Sequence, residues 1–363
     1  MKFSERIQSV SPSMTLAIDA KAKDMKARGE DVIGFGTGEP DFNTPERIKQ
    51  AGILAIENNE TRYTPVGGRD LLKEAIISKL KRDNGLAYEK NQILASCGAK
   101  HSFYNLAQVL WQAGDEVIIP APYWVSFPEI VTLTGARPLI IYAGADQDFK
   151  ITPDQIDKAV TPKTRAIMIN SPSNPTGSAY SKEELEKLAD CALRHKLLII
   201  SDEIYEQIVF DGFRHTSIAS ISKEVQKQCV VINGISKSYA MTGWRIGYIA
   251  AGDPEITKQA GKLQGQSTSN PCSVSQAASI EALAGPLDEV YAMVSEFEKR
   301  RDIIVEHLRQ IPGVSCNTPK GSFYSFPDFS EIYGKKDTTG KVLEGSLDFI
   351  DYLLTTEKVA IVP

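Results

Sequence analysis

Short apolar runs alternate with longer amphipathic segments through the middle of the chain. Six runs rich in Val, Ile and Leu predict strands, at residues 92–96, 115–120, 137–142, 165–170, 196–201 and 229–236. Because these runs lack polar alternation, they are typical of strands that are covered on both faces. Between two of them, residues 181–196 predict a helix with Ser181 as its N-cap. The alternation predicts an α/β fold, with a three-layer α/β/α large domain around a mainly parallel sheet.

The pattern changes near Leu283. A long charged helical segment follows and then the stretch GVSCNTPKGSFYSFPDF, which together predict a smaller α+β domain. The first residues are rich in loops and are expected to join that smaller domain. We therefore expect residues 1–46 to form an N-terminal arm and part of the small domain, 47–283 the large domain, and 284–363 the small C-terminal domain.

Composition and charge exclude several classes of protein. The 363 residues carry a net charge of −5, which argues against a nucleic acid or an anionic membrane surface as the main partner. No apolar run approaches the ~20 residues that cross a bilayer, and the charged N-terminus does not resemble a signal peptide. Five scattered cysteines without a C-x-x-C pair and four histidines without an H-x-x-x-H pair provide no visible metal ligands. We expect a cytoplasmic protein without a metal site.

Four groups of polar residues follow predicted strands, at the edge of an open α/β sheet where ligands bind. They lie in SCGAKHSFYNLAQ (96–108), NSPSNPTG (170–177), SDEIYEQIVF (201–210) and NGISKSYAMTGWRIGYI (233–249). Each has an ordinary explanation when taken alone: a helix start, a turn, an aspartate N-cap, a solvated lysine or a structural ion pair.

Taken together, the four groups describe one ligand. A turn into a helix N-terminus and the guanidinium of Arg245 suit a phosphate. The carboxylate of Asp202 suits a protonated ring nitrogen, and Asn174 with Tyr205 suits a phenolate oxygen. The amine of Lys237 suits an aldehyde. The ligand that carries all these groups is pyridoxal 5'-phosphate.

On these residues the chain resembles the class I/II aminotransferases of fold type I, and within them the bacterial aspartate (aspartate/prephenate) aminotransferase subgroup. The resemblance runs almost end to end, through GEPDF, YTPVGGRDLLKEAI, PYWVSFPE, NSPSNPTG, SDEIYE and SKSYAMTGWRIGY. It implies the fold of pyridoxal phosphate-dependent transferases, with the cofactor in the large domain, and a homodimer with shared active sites.

The resemblance also assigns roles to individual residues. Lys237 would bind the cofactor aldehyde as a Schiff base, Asp202 would pair with the ring nitrogen, and Asn174 and Tyr205 would bind the phenolate oxygen; Lys237, Asp202 and Tyr205 are the expected catalytic residues. The phosphate would be held by Gly98, Ala99, Lys100, Ser236 and Arg245.

Further residues would complete the site. Trp124 would stack on the cofactor ring and contact the substrate. Asn174 would also contact the substrate, and Tyr63 would reach the phosphate of the neighbouring subunit. The backbone of Gly38 would lie near the substrate α-carboxylate. Ser13 and Thr15 would help to read the distal carboxylate of a dicarboxylic substrate.

The reaction implied is transfer of an amino group from L-aspartate or a similar dicarboxylic amino acid to 2-oxoglutarate by a ping-pong mechanism. Two alternatives within the fold are an aminotransferase of broader specificity, for prephenate, aromatic substrates or alanine, and a C–S lyase. Ser11 stands where relatives that accept prephenate often carry a basic residue. A regulatory cofactor-binding module is an alternative from another class, which needs an attached DNA-binding segment.

The carboxyl end departs from the family pattern. In the family, a second arginine that holds the substrate α-carboxylate follows some distance beyond the VAIVP-type strand, and this sequence ends at Pro363. The resemblance therefore leads us to expect a shortened sequence that binds cofactor but transaminates poorly.

Overall fold

The computed structural model describes residues 1–12, 14–36 and 38–363. Their contacts form two compact units, each assembled from three stretches of chain. The first unit contains Met1–Val10, Pro40–Lys299 and Pro319–Tyr324, and the second contains Ser11–Glu39, Arg300–Thr318 and Ser325–Pro363. The domain limits predicted from the sequence, at 46/47 and 283/284, stay a prediction.

A seven-stranded sheet forms the centre of the first unit. Its strands are β1 (Ile93–Ser96), β2 (Glu116–Ala121), β3 (Arg137–Tyr142), β4 (Thr164–Asn170), β5 (Leu198–Asp202), β6 (Cys229–Gly234) and β7 (Gly247–Ala251). Their order across the sheet is β1-β7-β6-β5-β4-β2-β3. β7 runs antiparallel to both of its neighbours and the other pairs are parallel, so the predicted mainly parallel α/β sheet is confirmed.

The first six strands lie where the apolar runs predict them, whereas the sequence analysis did not assign β7. Its five residues, GYIAA, follow directly on a stretch rich in polar side chains. All five are buried between β1 and β6. An apolar run this short, with a glycine at its start, gives too weak a periodic signal to predict a strand.

The sheet is buried on both faces because alternate residues of each strand point to opposite sides. Ile167 and Ile199 belong to one apolar cluster, while Met168 and Ile200 belong to the other. The first cluster includes residues of the helices Glu46–Glu57, Asp70–Asn84, Lys182–Arg194 and Ser273–Ala284, and the second includes residues of Ala99–Leu110, Ser126–Thr132 and Pro254–Gly265. Helices on both faces give the predicted three layers.

The helix Lys182–Arg194 shows how the local sequence sets these boundaries. The Oγ of Ser181 accepts a hydrogen bond from the backbone N–H of Glu184 at 3.2 Å, and the Glu184 carboxylate accepts one from the N–H of Ser181 at 2.7 Å. This reciprocal capping box satisfies two N–H groups that have no partner inside the helix. Ser181 is thus confirmed as the N-cap.

Shorter and peripheral elements complete the chain. The remaining α-helices of the described residues are Glu5–Gln8, Met14–Ala27, Pro153–Ala159, Lys223–Lys227, Asp288–Gln310 and Ser346–Tyr352. Among the described residues, no helix combines the length and the apolar character that crossing a membrane requires.

The second unit has a small core of its own. The two-residue strands Ile33–Gly34 and Val359–Ala360 pair in parallel, and Ser315–Cys316 pairs antiparallel with Pro327–Asp328. The apolar residues buried together in it are Ala22, Met25, Val32, Leu354 and Ala360. An ion pair of 2.6 Å between Lys358 and Glu30 joins its first and last stretches of chain.

Candidate active site

Three neighbouring parallel strands end side by side at the edge of the sheet that carries the candidate residues. The register pairs Asn170, the last residue of β4, with Asp202, the last residue of β5, and pairs Asp202 with Ile232 of β6. The side-chain amide of Asn170 donates to the backbone oxygen of Asp202 at 3.1 Å, and its oxygen accepts from the N–H of Asn174 at 2.8 Å. Asn170 therefore fixes the turn that carries Asn174 to the end of β5.

Asp202 is a buried carboxylate with only 7% of its surface exposed. Its Oδ1 accepts a hydrogen bond from the backbone N–H of Ile204 at 3.1 Å. Burial raises the pKa of Asp202 to about 7, and the negative charge of Glu203 adds to this, while the Ile204 hydrogen bond and the positive charge of Lys237 oppose it. A nearby cation would stabilise the ionised form of a carboxyl group that burial disfavours in this way.

Two tyrosines and an asparagine form a hydroxyl–amide cluster beside Asp202. The hydroxyl groups of Tyr205 and Tyr324 lie 2.8 Å apart, and the amide nitrogen of Asn174 donates to the Tyr324 hydroxyl at 3.2 Å. The rings of Phe323 and Tyr324 pack edge-on against Tyr205, with centroid distances of 5.4 and 5.7 Å. Burial raises the pKa of Tyr205 well above its ordinary value, so its hydroxyl is a neutral donor.

Lys237 lies in the loop that follows β6. Its Nζ is 6.0 Å from the ring centroid of Tyr205 and 5.7 Å from that of Phe323. The loop is closed by a hydrogen bond of 3.1 Å from the N–H of Met241 to the oxygen of Ser236. The amine is therefore placed beside the aromatic cluster, where its charge also acts on Asp202.

Arg245 and the turn after β1 form a cationic corner of the site. Arg245 has a left-handed backbone, with φ of 57°, at the end of a short helical turn, and its guanidinium lies against Gly98. A Cβ on Gly98 would overlap that guanidinium, and one on Gly247 would overlap the backbone of Ala99. These two glycines therefore allow Arg245 and β7 to approach the N-terminus of the helix Ala99–Leu110.

Lys100 adds a second positive charge at this corner. Its Nζ lies 4.8 Å from the ring centroid of Trp124, although much of the residue is exposed. Burial of the ammonium, and then the charge of Arg245, lower the pKa of Lys100. Ser236 is buried. Two cations and the free N–H groups of a helix N-terminus can bind a multivalent anion.

The structure gives less information on the remaining predicted residues. Tyr63 is 92% exposed in the single chain. Thr15 and Gly38 are half-buried residues of the second unit. Ser13 lies outside the described residues.

Two residues of the site were missed by sequence reasoning. Asn170 is the end of a predicted strand and carries no motif of its own beyond NSPSNPTG. Tyr324 stands 119 residues after Tyr205, in GSFY, beyond the long helix. The available signal was Gly-Ser followed by two aromatic residues after a helix, and it did not indicate a return to the sheet edge.

Comparisons with known proteins identify the family and the fold of the chain. The family described as aminotransferase class I and II matches residues 30–363. The chain is 52% identical to the aspartate aminotransferase of Bacillus sp. (strain YM-2), covering 99% of this chain and 91% of that protein. It is 44% identical to a probable aspartate/prephenate aminotransferase of Rickettsia felis, covering 99% and 88%. The crystal structure of the aspartate aminotransferase from Rhizobium meliloti superposes with a TM-score of 0.96 at 42% identity, covering 100% and 91%.

Proposed function

The chain belongs to the class I and II aminotransferases, and we propose that within this pyridoxal phosphate-dependent family it takes the amino group of L-aspartate or a similar dicarboxylic amino acid. The proposed acceptor is 2-oxoglutarate, in a ping-pong reaction. The names of relatives that are about half identical over nearly the whole chain support the donor. The observation that carries the proposal is the buried carboxylate of Asp202 beside a lysine amine and a hydroxyl–amide cluster.

Asp202 fits the ring nitrogen of pyridoxal 5'-phosphate. A buried carboxylate with a raised pKa is stabilised by a cation within hydrogen-bond distance. A protonated ring nitrogen is such a cation, and the carboxylate would in turn hold its proton. Neither partner would then be left buried and unpaired.

The cationic corner fits the phosphate. Arg245 offers a planar guanidinium, Lys100 offers an ammonium, and the helix that starts at Ala99 offers backbone N–H groups. The glycine at position 98 lets the Arg245 guanidinium approach this helix N-terminus, because a Cβ at position 98 would overlap it. Ser236 would add a hydroxyl donor from the loop after β6.

The hydroxyl–amide cluster fits the ring oxygen, and Trp124 fits the ring face. Tyr205 and Asn174 each have a hydrogen to donate to an anionic oxygen. Trp124 packs edge-on against Phe127, with ring centroids 5.2 Å apart and an interplanar angle of 88°, which fixes the plane of its indole. An indole in a fixed plane is a good stacking surface for a flat heteroaromatic ring.

The chain's own residues would then carry the proton transfers. When bound, the cofactor supplies an aldehyde that reacts with amines and a ring that withdraws electrons from the substrate α-carbon. Nζ of Lys237 would take the proton from that carbon and later return it, which requires the neutral amine. Asp202 would hold the ring-nitrogen proton, and the aromatic rings beside Lys237 would help to exclude water.

Recognition of the substrate would involve both charge and the second unit. Lys100 would attract an acidic substrate. Gly38 and Thr15 remain proposed contacts for the α-carboxylate and the distal carboxylate, and Ser13 is proposed with Thr15 on the basis of the SPSMT segment alone.

We also propose that the enzyme is a homodimer in which Tyr63 serves the neighbouring site. Tyr63 is almost fully exposed in the single chain, and Ile53, Leu54 and Ile56 of the helix Glu46–Glu57 are 44%, 53% and 57% exposed. Three exposed aliphatic side chains on one helix favour a surface that a second copy of the chain covers.

Mixing unfolded Tyr63→Ala and Lys237→Ala chains and refolding them should restore about a quarter of the wild-type activity, because half of the dimers then contain one intact site. Mixtures no more active than the separate variants would contradict shared sites.

The substrate proposal is tested with the purified enzyme and its cofactor. We expect oxaloacetate to form from aspartate and 2-oxoglutarate, with parallel double-reciprocal plots, and no product with Lys237→Ala. The name of the Rickettsia relative supports prephenate as a second acceptor, so prephenate is tested in the same assay. If the kcat/KM for aromatic amino acids or for alanine is much higher than that for aspartate, that amino acid replaces aspartate as the proposed donor. Pyruvate from cysteine conjugates without an acceptor would indicate a C–S lyase.

A further inference from the structure

Tyr324 bridges two residues that are proposed to bind the cofactor ring oxygen. Its hydroxyl lies 2.8 Å from the Tyr205 hydroxyl and accepts a hydrogen bond of 3.2 Å from the Asn174 amide. It is half-buried, and the charge of Asp202 acts on it. None of these contacts involves the second unit, because Tyr324 is the last residue of the stretch Pro319–Tyr324 that belongs to the first unit.

The backbone holds this stretch firmly against the site. The N–H groups of Lys320 and Gly321 donate to the oxygen of Gly177 at 2.9 and 3.0 Å, and that of Ser322 donates to Ile208 at 2.9 Å. A Cβ on Gly321 would lie only 2.7 Å from both the Ile208 oxygen and the side chain of Pro172. The loops that follow β4 and β5 are thus joined to one segment, and Tyr324 is placed at the point where they meet.

Counting hydrogens shows what the bridge does. Tyr205 has a single hydroxyl hydrogen, so it can donate either to Tyr324 or to a ligand. Asn174 has two amide hydrogens and uses one of them on Tyr324. If Tyr324 accepts from Asn174 and donates to Tyr205, both residues keep one hydrogen directed away from the bridge.

We propose that Tyr324 is a positioning residue that orients the hydroxyl of Tyr205 and the amide of Asn174 as a pair of donors to the cofactor ring oxygen. The inference rests on the proposed function only in placing that oxygen at the cluster. The Tyr324 hydroxyl stays protonated at neutral pH, since burial raises the pKa of Tyr324 to about 12, so it has a hydrogen to donate to Tyr205.

Replacing Tyr324 with phenylalanine tests this role, because the ring that packs on Tyr205 and Phe323 is retained. The matched control is Tyr88→Phe, which removes a hydroxyl from a buried tyrosine elsewhere in the first unit. The first readout is the pH midpoint of the visible absorbance of the cofactor-loaded enzyme. Weaker donors leave the ring oxygen more basic, so the midpoint of Tyr324→Phe should rise by on the order of half a pH unit.

The second readout is equilibrium binding of pyridoxal 5'-phosphate to the cofactor-free enzyme, followed by tryptophan fluorescence. We expect the dissociation constant of Tyr324→Phe to rise about threefold to tenfold. Tyr88→Phe should keep the wild-type midpoint and dissociation constant. A Tyr324→Phe enzyme with a wild-type midpoint and a wild-type dissociation constant would overturn the proposal.

A double variant separates positioning from a general loss of structure. If Tyr324 acts through Tyr205, the midpoint shift of Tyr205→Phe/Tyr324→Phe should be smaller than the sum of the two single shifts. Additive shifts would overturn the proposal even if Tyr324→Phe is less stable. Failure of the aspartate proposal is distinguishable, because it would leave the wild-type enzyme inactive on aspartate without changing either spectroscopic comparison.

Discussion

Asp202 and Glu206 are buried carboxylates four residues apart in SDEIYEQ, yet their surroundings are opposite. Glu206 is ion-paired with the buried Lys79 and accepts hydrogen bonds from Asn84 at 2.8 Å and Asn233 at 2.7 Å. Asp202 accepts a hydrogen bond from the N–H of Ile204, and burial outweighs the contacts that would stabilise its charge. The structural carboxylate is neutralised within the chain, whereas the proposed functional one is left in need of a cation.

The pKa values of the two carboxylates express this difference. Burial alone would raise the pKa of Glu206, but the charges of Lys79 and His215 and the hydrogen bonds from Lys79 and Asn84 outweigh it, so that the pKa is lowered. Burial raises the pKa of Asp202 to about 7. Burial is common to both, so the direct ion pair and the hydrogen bonds at Glu206 decide the sign, whereas at Asp202 the charge of Lys237 does not outweigh burial.

Breaking the ion pair should have the largest effect on stability. Lys79→Met leaves Glu206 buried without its cation, which should lower the free energy of unfolding by about 3–5 kcal/mol. Urea unfolding of the cofactor-free protein measures this change. The folded fraction should still bind pyridoxal 5'-phosphate normally, because the pair lies outside the site. A variant within about 1 kcal/mol of the wild type would show that the pair contributes little.

Asp202→Asn should instead reduce catalysis. An amide cannot hold the cofactor ring nitrogen in its protonated form, so kcat should fall on the order of a thousandfold. The cofactor-free variant should be at least as stable as the wild type at pH 8, because it buries no charge at this position. Steady-state kinetics and urea unfolding together test the contrast with Lys79→Met. Near-normal kcat would remove Asp202 from the catalytic residues.

The pH dependence of stability should differ in sign between the two carboxylates. The folded pKa of Asp202, about 7, lies above its ordinary value of 3.8, so between these values the folded state binds more protons. Its contribution to the stability of the cofactor-free protein is therefore present below pH 4 and lost as the pH rises to 7. The lowered pKa of Glu206 gives the reverse, a contribution that is lost in acid.

Comparing the wild type with Asp202→Asn isolates this effect. The difference in the free energy of unfolding between the two proteins should change between pH 4 and 7 in favour of the variant. Glu206→Gln is the matched control, since it should lose stability relative to the wild type as the pH rises from acid to neutral. A difference between wild type and Asp202→Asn that does not vary with pH would show that the Asp202 pKa is not raised.

The sequence predicts Asp202 as a candidate site residue, but it does not predict that Glu206 has a cationic partner inside the chain. Asp202, Lys237 and Arg245 follow apolar runs in recognisable motifs, so strand periodicity and sheet-edge geometry predict one site for them, and their roles in it stay a prediction. Glu206 depends on Lys79, which is 127 residues away along the chain. No local pattern encodes that contact, and for the same reason Tyr324 was missed.

The fold shows the same division. The first six strands follow from local periodicity, and the capped helix follows from Ser181, whose capping box needs only the residue three positions later. β7 depends on close approach at Gly247, which the sequence shows only as one more glycine. Local signals therefore predict elements, while the fit between elements decides which polar groups are satisfied.

The smallest expected effect comes from replacing both members of the ion pair. In Lys79→Met/Glu206→Gln the glutamine keeps an acceptor for Asn84 or Asn233, and no charge is left buried. Because buried ion pairs recover little more than their desolvation cost, the double variant should lie within about 1–2 kcal/mol of the wild type in urea unfolding. It should therefore be more stable than Lys79→Met alone, a coupling that only contacting residues show. A double variant as unstable as Lys79→Met would mean that lysine packing, rather than charge compensation of Glu206, stabilises this region.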